Sequence, residues 1–201
     1  MRTPLPALAG VAVVASLLLA GCSSAIPEPS TSSESQGSEP SDAPSTGLDV
    51  EPAAGETITG SGYTYVAPEG WGVPTESVPG FSPDTLVANL QDTDGFADNL
   101  NTLKSPAGVV TPEVVESAGV DELESVGATD VTVNDRVTVA GSESAHLSAQ
   151  LSNSGTTYAV EQYYVSDAEQ TFVVTFSFSD TVPADERVRL AESVLVTWTW
   201  A

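Results

Sequence analysis

Period-two alternation of apolar and polar positions marks most of the chain after residue 60. Residues 62–66 alternate with Tyr63 and Tyr65 on one face, which predicts a strand. Pro68-Glu69-Gly70-Trp71 predicts a turn that returns a Trp to the core. Residues 85–90 and 100–103 predict two more strands. Between them Asp92-Thr93-Asp94-Gly95 predicts a hairpin turn, because Asp-Gly readily takes positive φ. Val131, Val133, Val137 and Val139 predict strand on both sides of a turn at Asn134-Asp135. Ala145, Leu147, Ala149 and Leu151 alternate with His146, Ser148 and Gln150. Residues 158–165 and 172–178 are the most apolar runs, with Phe172, Val174, Phe176 and Phe178 on one face. These two predict central strands covered on both sides.

Helical periodicity appears twice. Thr111-Pro112-Glu113 has a capping residue and a Pro suited to the first helical position. The helix is predicted to run to Val126, weakened at Gly119 and ended by Gly127, with Val115, Ala118 and Val126 near one stripe. Pro183-Ala184-Asp185-Glu186 opens a second helix, with Val188, Ala191, Val194 and Leu195 as its buried stripe. Residues 196–200 alternate and fit either a short strand or a helix turn. Strands, helix, strands, helix is the order of an α+β domain: a mostly antiparallel β-sheet flanked by helices.

The N-terminal part of the chain follows different rules. Arg2 precedes fourteen uncharged residues, 7–20. That is shorter than the roughly 20 residues a bilayer-spanning helix needs, and it matches a secretory h-region. Leu19-Ala20-Gly21-Cys22 resembles the lipobox of bacterial lipoproteins, and it places the only Cys of the chain at the modified position. The resemblance implies that residues 1–21 are a cleaved signal peptide and that Cys22 carries a diacylglycerol. Its acyl chains would anchor the protein to the cell membrane on the extracytoplasmic face.

Residues 23–60 hold nine Ser, four Thr, five Pro, four Gly and seven acids, with no base and no aromatic. Such a segment buries too little to offset its ordering entropy. Residues 22–60 are therefore expected to be a lipidated Cys plus disordered tether, spanning roughly 30–37 Å as a coil. Residues 61–201 contain every aromatic residue and are expected to be the globular domain.

Charge narrows the partners. The chain has 28 acids against 5 bases, a formal charge of -23. It repels phosphate backbones, so nucleic-acid binding is excluded. Anionic headgroups repel it as well, so the lipid must do the holding.

The order of the pieces carries a resemblance. A Tyr-rich strand runs into Pro68-Glu69-Gly70-Trp71, followed by Gly95-Phe96-Ala97-Asp98-Asn99-Leu100-Asn101 and a Pro-Glu-started helix. A strand over 145–151, the paired Tyr163-Tyr164 strand, the 172–178 strand and a terminal helix with Ala191-Glu192-Ser193 complete it. This resembles the LpqN/LpqT-type lipoproteins of actinobacteria, within the wider PsbP-like (Mog-type) group. The resemblance implies a PsbP-like sandwich on a lipid anchor. It also implies an envelope protein or lipid partner, in envelope assembly, and no shared catalytic residues. Having Lys104 as the sole Lys departs from that group, so partner surfaces used there are not carried over.

Candidate chemistry is sparse. His146 is the only His, on a polar strand face with Ser144 and Ser148, and it is expected to be exposed. A Ser-His-acid triad needs an elbow for its nucleophile, and no Gly-x-Ser-x-Gly occurs. Asp92, Asp94 and Asp98 invite a weak Ca²⁺ site. With Gly95 at the sixth loop position, however, Leu90 and Asn101 stand where an EF-hand requires carboxylates. Tyr63, Tyr65, Trp71, Tyr163, Tyr164, Trp198 and Trp200 are expected in the core, or else lining a groove for a glycan or acyl chain. No catalytic residue, metal or cofactor is assigned.

The sequence therefore reads as a lipid-anchored binding module. Two alternatives stand beside it. A lipid carrier would need a Val- and Phe-lined cavity between sheet and helix. A hydrolase of envelope glycans or esters would need a cleft around His146 or two carboxylates with raised pKa values.

Overall fold

In a computed structural model, residues 46–76 and 80–201 are described. The signal segment, Cys22 and residues 23–45 lie outside the described residues, as do residues 77–79.

The strands are β1 (Thr46–Gly47), β2 (Thr57–Thr59), β3 (Tyr63–Val66), β4 (Trp71–Gly72), β5 (Thr85–Asn89) and β6 (Asn99–Lys104), followed by β7 (Thr129–Val139), β8 (Ser142–Asn153), β9 (Thr156–Ser166), β10 (Thr171–Ser179) and β11 (Thr199–Trp200). A helical stretch, α1 (Pro112–Val114), a π-helical turn (Val115–Gly119) and α2 (Val120–Ser125), lies between β6 and β7, and α3 (Ala184–Leu195) precedes β11. Eight strands form one sheet in the order β1-β7-β8-β9-β10-β6-β5-β4, antiparallel except for β1 against β7. β11, β3 and β2 form a second antiparallel sheet. The expected α+β class, a mostly antiparallel sheet with helices on it, is the one observed.

Alternation along β10 explains the two cores. Phe172, Val174, Phe176 and Phe178 face the small sheet and α3, joining Tyr63, Tyr65, Ala191, Val194, Leu195 and Trp198. Val173 faces the other way, toward Val115, Leu123, Leu147, Val160 and Tyr164 under the 112–125 helices. All nine residues of β10 are buried, as its apolar pattern predicts. Rings fill the first core: Tyr63 stacks on Trp198 at 4.1 Å and meets Phe172 edge-on at 4.8 Å.

Three local expectations are corrected. A tether extending through residue 60 does not hold, because β1 pairs with β7, β2 pairs with β3, and Ile58 is buried in the aromatic core. Composition averaged over 23–60 hides the few apolar residues, Leu48, Ala53 and Ile58, that do pack. The expected turn at Asn134-Asp135 is instead a register shift within the continuous strand β7. The chain reverses at Ala140-Gly141, where both φ values are positive, as a two-residue hairpin requires. The expected helical stripe also fails, because the π turn inserts a residue into the repeat. Val115, Gly119 and Leu123 therefore face the sheet, Ala118 is only half-buried and Val126 is exposed. Gly119 is a close-approach residue: a Cβ there would lie 3.0 Å from Leu147 Cδ1. Of the two conformations that fit 196–200, strand is the one formed at its end, β11 against β3.

Candidate functional site

The face of the large sheet that lies under α3 divides in two. Over β9, β10 and β6 it is aromatic and aliphatic. Over β7 and β8 the same face carries Asn134, His146 and Ser148, because the alternating neighbours Ala145, Leu147 and Ala149 belong to the opposite core. Glu161 on β9 stands at the border, directly across from Ser148.

Glu161 is 1% exposed. Its Oε2 accepts hydrogen bonds from His146 Nε2 at 2.9 Å and Ser148 Oγ at 2.5 Å. Its Oε1 accepts one from Arg187 Nε of α3 at 2.9 Å. Arg187 Nη1 also donates to the Val182 carbonyl, and Asn134 Nδ2 donates to Ser148 Oγ. The His146 ring lies flat on Tyr163, centroids 4.0 Å apart. Burial pushes the Glu161 carboxyl upward, but the bonds from His146, Ser148 and Arg187 together outweigh it and hold it below its ordinary value. Glu192, one α3 turn from Arg187 and Val188, is raised by burial, with His146 opposing. Burial also drives Tyr163 well above the usual phenol range, aided by Glu192 and Glu161.

Beside this network a cavity of about 670 Å³ opens between α3 and strands β7–β9. Its polar lining includes Asp130, Asn134, Gln150, Glu161, Arg189 and Glu192. Val50, Ala149 and Val188 supply apolar wall. A second cavity, about 370 Å³, lies by β2 and β5 among Ile58, Val73, Phe81 and Leu86. None of the buried ionic network lines it.

The residues that the sequence offers as candidates fall into place unevenly. His146, expected on an exposed strand face, is 3% exposed, because α3 and the β9 side chains roof the polar end of that face. Ser148 and His146 converge on one carboxylate oxygen. A hydrolytic triad instead requires the serine to bond the imidazole and the imidazole to bond the acid. Glu161, at the centre of the network, is not among the sequence candidates. Its signal is an acid in the middle of a run predicted to be covered on both sides, a position where an unpaired charge does not survive. Asp92 accepts from Asn89 Nδ2 and the Asp98 amide, Asp94 from the Phe96 amide, and Asp98 from the Ser179 amide. These carboxylates are engaged in fixing the loop. Among the described residues no group of three or more His, Cys, Asp or Glu side chains is arranged to hold a metal ion. Tyr63, Tyr65, Trp71, Tyr163, Tyr164 and Trp198 are buried in the core, and Trp200 is partly buried against it. Cys22 lies outside the described residues.

No protein-family model matches the chain, and no curated protein matches it. Three solved structures are similar in backbone course. One is a crystal structure from Bacteroides thetaiotaomicron, at 16% identity and TM-score 0.44, covering 73% of this chain. This chain spans only 48%, about half, of that protein's length. The second is LpqN of Mycobacterium tuberculosis, described as involved in cell envelope biogenesis, at 16% identity and TM-score 0.45, covering 72% of this chain and 88% of its own. The third is the cyanobacterial PsbP protein of Synechocystis, at 17% identity and TM-score 0.47, covering 70% and 87%. No residue role passes from these likenesses to this chain. Among the described residues no helix is long and apolar enough to cross a membrane.

Proposed function

We propose that this chain is a lipid-anchored cell-envelope lipoprotein. In this reading Cys22 carries diacylglycerol and holds the folded domain on the extracytoplasmic face of the cell membrane. The domain is a binding module and not an enzyme. It engages a protein partner in the envelope.

One observation carries the choice among binding, carrying and hydrolysis: the large cavity under α3 sets charged and amide side chains into apolar wall, and the aromatic core beside it is full. Tyr63, Tyr65, Phe172, Phe176 and Phe178 are each at most 2% exposed. The space between α3 and the aromatic half of the sheet is occupied by rings, which removes the Val- and Phe-lined hollow that an acyl carrier needs. Hydrolysis loses support for a different reason. Glu161 is 1% exposed and three donors hold its carboxyl below the ordinary value, which makes it a weak base with little access to a substrate. The binding reading needs only what is present, a concave surface with charged groups set in apolar wall and of ordinary ligand-site size, roughly 300–1,000 Å³.

Metabolic labelling with an alkyne palmitate analogue tests the anchor, in a bacterial host that processes lipoproteins. The wild-type chain is expected in the membrane fraction carrying label. Cys22→Ala is expected unlabelled and released from that fraction. Unlabelled wild type, or labelled and membrane-retained Cys22→Ala, overturns the reading.

A further inference from the structure

We propose that the cavity under α3 receives a basic side chain of a protein partner, with Glu192 as its counter-charge. This rests on the reading of the domain as a protein-binding module and names the chemistry of what it binds.

The cavity's own charges do not balance. Glu161 and Arg187 are spent on each other. That leaves Asp130, Asp185 and Glu192 on the lining against Arg189 alone. Among the described residues, no ion pair or side-chain hydrogen bond engages the Glu192 carboxylate. It sits half-buried where desolvation disfavours its charge, so a cation brought to it gains more than it would at a fully hydrated acid. The uncompensated position on the lining is thus an anion, and it calls for a cationic ligand.

The shape of the cavity adds to this. Val50, Ala149 and Val188 offer apolar wall on a lining whose other members are mostly acids and amides. Lys and Arg have this division, a methylene stem that packs on apolar surface and a charged head that seeks acceptors. A hard metal ion would find no use for the apolar wall. The chain as a whole reinforces the local field. With a formal charge of -23 it draws a basic partner from a distance and aligns it before contact.

The probe is a fluorescein-labelled peptide, Lys-Ala-Ala-Lys-Ala-Ala-Lys-Ala-Ala-Lys, titrated against the full chain in detergent and read by fluorescence anisotropy at low and moderate salt. Wild type is expected to bind it, and to bind the lysine-acetylated peptide at least tenfold more weakly. Glu192→Gln is expected to weaken binding at least tenfold. Glu124→Gln, the same charge change on the exposed face of α2, is expected to change it less than twofold. Val188→Trp fills the cavity without changing charge and is expected to abolish binding, and urea unfolding of both variants at wild-type midpoints shows that the loss comes from a folded chain. Equal weakening by Glu192→Gln and Glu124→Gln would show diffuse attraction and sink the site. Displacement of the peptide by an equal concentration of spermidine would assign the cavity to a free polyamine and overturn the protein side-chain source. Absent binding with Cys22 still palmitate-labelled defeats this inference alone. Binding with Cys22 unlabelled defeats the anchor alone.

Discussion

Two ionic clusters hold helices to opposite faces of the large sheet, and they are near mirror images. On one face a single cation, Arg136 of β7, is ringed by Glu113, Glu116 and Glu143 at 2.5–2.8 Å, tying the 112–125 helices to the β7–β8 hairpin. On the other a single anion, Glu161 of β9, is ringed by His146, Ser148 and Arg187 at 2.5–2.9 Å, tying α3 to β8 and β9. Their surroundings differ. Glu113 has 66% of its side chain exposed and Glu143 36%, whereas Glu161 has 1%. Water and salt screen the first cluster, so its bonds replace hydration that was nearly as good. The second has little water to fall back on, with Glu161 at 1% and Arg187 at 12% exposure, so each member depends on the others. Similar sets of bonds therefore carry different consequences, and burial decides between them.

The largest expected effect comes from removing the buried anion. Glu161→Ala leaves Arg187 uncompensated and His146 and Ser148 without their acceptor, a loss of about 3–5 kcal/mol in urea unfolding. The pH dependence follows from the direction of the shift. The folded carboxyl titrates below its ordinary value of 4.5, so its stabilisation is complete above that pH and is lost as pH falls through the depressed folded value. Wild type should lose more stability on that acid limb than Glu161→Ala, which keeps only the share due to other depressed acids such as Asp84. A loss under about 1 kcal/mol, the range of an exposed pair, or an unchanged acid limb, would mean that the buried cluster behaves like the exposed one.

Arg136→Ala is expected to cost less, about 1 kcal/mol, despite removing a guanidinium with more bonds. The cost should shrink toward zero in about 1 M NaCl, where the Debye length is about 3 Å, while that of Glu161→Ala stays put. Chemical unfolding of both variants in urea, at low and high salt, reads the contrast directly. A salt-insensitive loss at Arg136 would show that the three carboxylates act as a desolvated unit.

How much of this is legible in the sequence depends on whether a residue's environment follows from its own neighbours along the chain. Phe172 to Phe178 alternate without interruption, and their two-sided burial can be read from the run itself. The aromatic core and the helix beginning after Pro183 are legible in the same way. Glu161 sits inside such a run, and hydropathy treats a lone acid there as a minor irregularity. Its meaning depends on Arg187, 26 positions later, and on His146 across the sheet. Alternation puts His146 on the correct face but in the wrong environment, because it tells which side a residue points to and not what covers that side. The π turn at Val115–Gly119 moves the inward stripe from Val126 to Leu123, a shift no fixed period contains. The cavity under α3 has no local signal at all, since it is formed by segments from Val50 to Glu192 that come together only in the fold.

Asp98 supplies the intermediate case and the smallest effect. It is partly buried, like neither cluster, and among the described residues the groups that shift it most include no cation. Burial raises its carboxyl most, the Ser179 amide opposes, and Asp92, Asp94 and Glu186 add repulsion, bringing it to about 6. The sign is then opposite to that of Glu161. A folded value above the ordinary 3.8 means the native state holds its proton longer than the unfolded chain does. The associated stability is full below 3.8 and is lost as pH rises through about 6. Asp98→Asn keeps an oxygen for the Ser179 amide and removes the charge. It should therefore stabilise the fold near neutral pH, by about 1 kcal/mol once solvent screening is allowed for, and do nothing measurable below pH 3.8, where the acid is already protonated in both states. Thermal unfolding on either side of the transition checks it. A destabilised variant at neutral pH would mean that a cation offsets this carboxylate after all, placing it with Glu161, where a buried acid survives only because something positive reaches it.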